Sequence, residues 1–172
     1  MEIERKYLVT SDCYKKLAVA RYHIRQGYIS REKTGTVRVR ITDDKAYLTI
    51  KGKPAAGHFA RYEWEKEIDV QEAEELMKLC QGTVIDKTRW IVPAETIDNL
   101  QLTVDNLQLT VDNLQLTVDN LQLIWEVDEF HGKHEGLVVA EIELDNEEQS
   151  FEIPDFIGDE VTHDPRYYNA NM

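Results

Sequence analysis

Apolar and polar residues alternate with period two along most of the chain, and short stretches of helical spacing interrupt them. Residues 2 to 9 (EIERKYLV) predict a strand with Glu2, Glu4 and Lys6 on one face and Ile3 and Arg5 on the other. Thr10 and Ser11 are cap residues for a short helix through Tyr14, Leu17 and Ala18. RYHIRQGYIS reads as a second strand, and a turn around Lys33 to Gly35 leads into TVRVRITDD. A turn at Asp43 and Asp44 returns the chain through KAYLTIKGK, and PAAGHFA is a loop. RYEWEKEID is a strand, after which Asp69 and Glu72 have capping-box spacing and open a helix to about Gln81, followed by Gly82. VIDKTRWIV, IWEVDEF and LVVAEIEL are further strands, the last two joined by the glycine-bearing turn HGKHEG. Residues 145 to 151 read as a helical turn and PRYYNANM as a closing short helix.

Residues 100 to 120 interrupt this order with three identical copies of LQLTVDN. Apolar spacings of two, two and three, with Asp-Asn after each run, fit strand and turn better than a coiled coil. Removing the 21 residues rejoins ETIDNLQ to LQLIWEVDEF with the surrounding pattern intact, as expected of a tandem duplication within a hairpin. Seven is odd, so each copy exchanges the faces of a continuing strand unless a turn or bulge compensates. The LQLTV units also offer edges for pairing with a second copy of the chain, a route to a homodimer.

The charged faces of the strands are nearly unmixed. Arg38 and Arg40 share a face, as do Lys87 and Arg89; Arg61, Glu63 and Glu65 oppose Tyr62 and Trp64; Glu126 and Asp128 share a face, and so do Glu141 and Glu143. One such strand is an ordinary half-exposed sheet element. Seven of them, including Lys51 opposite Ile50, suggest a sheet closed on itself, with charge lining the lumen and apolar faces outward beneath helices. Buried charges must be compensated, the basic half by a polyanion and the acidic half by a hard cation that prefers carboxylate oxygen. The tryptophans Trp64, Trp90 and Trp125 then fall on the outward faces, beneath the helices.

The 172 residues suit one domain, and 42% apolar with 31% charged residues is ordinary soluble composition. No apolar run could span a membrane and the N-terminus is too charged for a signal peptide, so a cytoplasmic location is expected. Cys13 and Cys80 lack metal spacing and read as reduced thiols. A net charge of -13 argues against general nucleic-acid binding, so an anionic ligand needs a local basic pocket. His131 and His134 flank a turn and read as solvated.

MEIERK resembles the N-terminal ExExK signature of the CYTH superfamily, the triphosphate tunnel metalloenzymes. IRQGY, VRVR, LTIK, RYEWE, DKTR, EVDEF, GLVVAEIEL and VTHDPRYYNA are similar to family blocks in family order, covering nearly everything except the repeats. The resemblance implies a mainly β, eight-stranded antiparallel closed tunnel with a charged interior and a few flanking helices. It implies a triphosphate substrate and Mg²⁺ or Mn²⁺. By motif, Lys6, Arg38, Arg40, Lys51, Lys87 and Arg89, with Arg61 weaker, would hold phosphate. Glu2, Glu4, Glu141, Glu143 and Asp128 would hold metal. Glu63, Glu65 and Glu126 would ligate metal, position water or pair with basic residues. Tyr28 would assist water or the leaving group near Lys6, or simply pack. The implied reaction is hydrolysis of inorganic triphosphate, with thiamine triphosphatase, RNA triphosphatase or adenylate cyclase activity as family alternatives. A binding module without turnover, or a scaffold for repeated strands, are readings from other classes.

Overall fold

The computed structural model describes residues 3–32, 35–52, 62–94, 123–146 and 148–172. Nine strands form one sheet: β1 (Ile3–Val9), β2 (Ala20–Glu32), β3 (Gly35–Thr42), β4 (Lys45–Gly52), β5 (Glu63–Ile68), β6 (Ile85–Pro93), β7 (Ile124–Phe130), β8 (Val138–Leu144) and β9 (Ile157–Glu160). Their order is β5-β4-β3-β2-β6-β7-β8-β1-β9, and every ladder is antiparallel. The antiparallel β fold with small helices is as expected, but the strand count and the closure differ. The ninth strand, β9, takes the outer edge of β1 through Tyr7↔Glu160 and Val9↔Ile157, so among the described residues β1 is not hydrogen-bonded to β5 and the ladder stays open. Strand β9 escaped the sequence reading because IGDE is short and carries one apolar side chain.

Alternation sets one apolar face outward. Helix α1 (Tyr14–Leu17) packs Tyr14 against Trp90 of β6 and Phe156, over a cluster that includes Tyr7, Trp125, Val127, Ala140 and Ile142. Helix α2 (Val70–Met77) presents Ala73 and Met77 to Val39, Ile41 and Ala46. Burying a Met-sized side chain contributes about 1.5–3 kcal/mol, so this short helix is held chiefly by its packed face. Asp69 caps it as expected, accepting from the Gln71 and Glu72 amides, but it ends at Met77, short of Gln81. Neither Thr10 nor Ser11 caps α1: the cap position is Cys13, without a side-chain bond. Trp64 lies on the outward face but under no helix, 38% exposed. Residues 145 and 146 form a bend rather than the expected helical turn, and the C-terminal stretch forms two 3₁₀ turns, Pro165–Tyr167 and Asn169–Asn171.

The repeats at 100–120, the loop PAAGHFA and the turn residues Lys33 and Thr34 lie outside the described residues. What is described on either side of the repeats fixes the hairpin: Pro93 pairs with Ile124 and Val92 with Trp125, without a slip down to Lys87↔Phe130. Strand β7 therefore keeps the face that the sequence pattern gave it. Among the described residues no helix is long and apolar enough to cross a membrane.

Candidate functional site

Residues directly opposite across an antiparallel ladder share a face. Glu4 faces Glu143 and Lys6 faces Glu141. Glu126 faces Glu141, and Arg89 faces Asp128. Across β2 the same face continues through Gln26↔Arg40 and Tyr28↔Arg38, then Arg38↔Thr49, Thr49↔Glu65 and Lys51↔Glu63. All these charged side chains thus lie on the face opposite the two outer clusters. The side chains converge: Arg89 of β6 donates across β7 to Glu141 of β8 at 3.3 Å, a reach consistent with a concave surface.

Acidic residues gather on β7, β8 and β1, and basic ones on β3, β4 and β6. Asp128, 1% exposed, is the hub between them. It accepts from Lys87 Nζ at 2.5 Å and from Arg89 Nε and Nη2 at 2.7 Å each. Burial opposes its charge, yet Arg89 and Lys87 outweigh it and hold the carboxyl below the usual range. Burial and the Arg89 cation push Lys87 down despite Asp128. Lys6 donates to both Glu4 and Glu141. Burial opposes the Lys6 charge as well, but the two carboxylates raise its pKa. Glu4 is pushed up by burial and by Glu141. Arg89 also binds Glu126. On the basic side, burial first, then Arg38 and Arg89, push Arg40 down to about 10.

Residues 1–168 match the family model of the CYTH domain. The chain belongs to the CYTH domain family. It is 43% identical over 172 residues, 99% of this chain and 92% of the relative, to the inorganic triphosphatase of Acetivibrio thermocellus. It is 29% identical over 175 residues to the inorganic triphosphatase of Nitrosomonas europaea, covering 99% of this chain and 95% of that protein. The crystal structure of the inorganic triphosphatase NE1496 superimposes with a TM-score of 0.64 at 26% identity, over 99% of this chain and 93% of that one.

In this CYTH domain, Glu4, Lys6, Tyr28, Arg38, Arg40, Lys51, Glu63, Glu65, Lys87, Arg89, Glu126, Asp128, Glu141 and Glu143 share one face. Glu2 and Arg61 lie outside the described residues. Glu63 pairs with Lys51 at 3.0 Å, and Glu65 accepts from Thr49 at 2.6 Å and Arg38 at 3.4 Å. Of the three roles open to them, pairing with basic residues is the one this geometry displays. Tyr28 is buried opposite Arg38 with the Arg31 guanidinium 4.9 Å from its ring centre, while Lys6 lies on β1, beyond β6, β7 and β8. Among the described residues no group of three or more Asp, Glu, His or Cys side chains is disposed to hold a metal ion, because Lys6 and Arg89 stand between the carboxylates.

Three residues on this face escaped the sequence reading. Gln26 and Thr49 are fully buried; each stands two positions from a residue already singled out, Tyr28 and Lys51, and that parity was the available signal. Arg31 could not be found by parity. A register shift between Tyr28 and Ser30 places it opposite Thr36, which faces Lys51.

Proposed function

We propose that this CYTH domain hydrolyses inorganic triphosphate to diphosphate and phosphate with the help of Mg²⁺ or Mn²⁺. One observation carries the reading: an arc of buried and half-buried cations and an arc of carboxylates share one face and meet at Asp128. A phosphate chain bridged by metal would compensate both arcs. The names of the two relatives favour inorganic triphosphate over other triphosphates.

The donor set fits a hard cation in type, since it is all carboxylate oxygen, with Glu4 and Glu141 converging on the single ammonium of Lys6. Glu4, Glu126, Glu141 and Glu143, with Glu2, would hold it. Bound there, the cation would neutralise phosphate oxygens and ease attack by water. Arg38, Arg40, Lys51, Lys87 and Arg89 bind the phosphate oxygens and stabilise charge building on the leaving diphosphate, cations set in place before the reaction. Asp128 serves as a positioning residue rather than a metal ligand, because both its oxygens are engaged by Lys87 and Arg89.

The test is phosphate release from inorganic triphosphate, ATP and thiamine triphosphate with Mg²⁺, Mn²⁺ or EDTA. Release from inorganic triphosphate fastest, abolished by EDTA and lowered at least a hundredfold in Glu4→Gln, is the expected result. Triphosphate binding without release would overturn hydrolysis in favour of a binding module.

A further inference from the structure

Gln26 stands at the middle of the basic arc, on β2, with 0% exposure. Its neighbours across the two ladders are Arg40 on β3 and Ile85 on β6. Arg40 Nε donates to Gln26 Oε1 at 3.3 Å. A guanidinium has no acceptor, so the amide cannot be turned round: Oε1 must face Arg40 and the NH₂ group must point elsewhere. That Nε2 is buried and has no hydrogen-bond partner among the described residues. Arg38 Nε, on the next lumen-facing position of β3, is likewise buried without a partner among the described residues.

Buried donors are almost always paired, and an amide NH₂ left bare inside a fold costs stability unless something accepts from it. Glu65 and Glu126 face Arg40 with opposite charge, yet among the described residues no oxygen accepts from Gln26 Nε2. Burial first, then Arg38 and Arg89, oppose the charge on Arg40, whose pKa falls to about 10. Another cation at position 26 would deepen that repulsion. A neutral amide adds a hydrogen bond to an anion without adding positive charge.

We propose that Gln26 is a further substrate-contacting residue, its Nε2 donating to a phosphate oxygen held beside Arg38 and Arg40. The Oε1 bond to Arg40 fixes both groups in one orientation, so that two donors of different charge meet the same phosphate. The inference rests on the triphosphate reading above and adds a residue to it. A hydrogen bond to a charged acceptor corresponds to about a ten- to hundredfold change in affinity.

Two variants separate contact from structure. Gln26→Met keeps the length and removes both amide groups. Gln26→Glu keeps an oxygen for Arg40 to donate to but replaces the free donor by an anion, so it tests the contact in a protein whose Arg40 stays paired. Binding of inorganic triphosphate in EDTA is measured by calorimetry, KM and kcat by phosphate release with Mg²⁺, and folding by thermal denaturation. The expected result is a dissociation constant and KM raised about ten- to hundredfold in Gln26→Met and more in Gln26→Glu, with Gln26→Glu melting no lower than the parent. Wild-type binding and turnover with unchanged constants in Gln26→Glu would overturn the role of Gln26 and leave the triphosphatase reading standing. Absence of both triphosphate binding and Mg²⁺-dependent phosphate release in the wild-type protein would overturn both.

Discussion

At the residue scale the site is governed by which buried charges are already paired. Lys87 is 0% and Asp128 1% exposed, so neither can be left alone in the fold without a large desolvation cost. Asp128→Asn removes the one carboxylate that binds both Lys87 and Arg89, and we expect it to lower stability by about 3–5 kcal/mol at pH 7, measured by urea unfolding. The sign of its pH dependence follows from a folded-state pKa held below the ordinary 3.8. Such a group contributes fully above its unfolded value, and the contribution is lost as pH falls through the folded one. The stability gap between wild type and Asp128→Asn should therefore be complete at pH 7 and narrow only below about 3.8. A gap independent of pH would show that the loss is one of packing rather than charge.

At the element scale the β6–β7 hairpin decides whether the acidic arc exists. Glu126 and Asp128 reach the site because Pro93 pairs with Ile124 and the ladder runs unbroken to Phe130. The register is held by the packing of Trp125 and Val127 on the outer face, both fully buried, since a slip of one residue would exchange them for Glu126 and Asp128. Trp125 and Val127 both belong to β7 and not to the repeated segment. Deleting residues 100–120 is accordingly expected to leave phosphate release from triphosphate within a few-fold of the parent. A loss of a hundredfold or more on deletion would show that the repeats help set the register.

At the scale of the whole molecule the charged face has two unlike ends. Toward the start of β7 and the end of β8 it carries Glu126 and Glu143, with Glu4 at the start of β1. Toward the opposite end, Ile85, Phe130 and Val139 turn inward and close over Met172, with Leu137 and Tyr167 against them. Met172 is thus a stopper at the apolar end of the inner face. Met172→Ala should cost about 2 kcal/mol in chemical denaturation, the low end of the range for a buried methionine. An unchanged midpoint would remove the stopper from the account of the fold.

Alternation determined much of this in the sequence itself. Eight of the nine strands and the common face of Arg38, Arg40, Lys87, Arg89, Glu126, Asp128, Glu141 and Glu143 follow from period-two spacing, and the Asp69 cap of α2 from its three-residue spacing to Glu72, both local properties of the chain. Parity can say that two side chains share a face, but not which of their partners they take. Tertiary structure alone decided that Asp128 serves Lys87 and Arg89, that Lys6 stands between Glu4 and Glu141, and that the Gln26 amide nitrogen meets no acceptor among the described residues. It also decided that β9 takes the edge of β1 and that a bulge turns Arg31 to the inner face. Each of these depends on strand neighbours far apart in the chain and on burial, which makes a paired charge tolerable and an unpaired donor conspicuous.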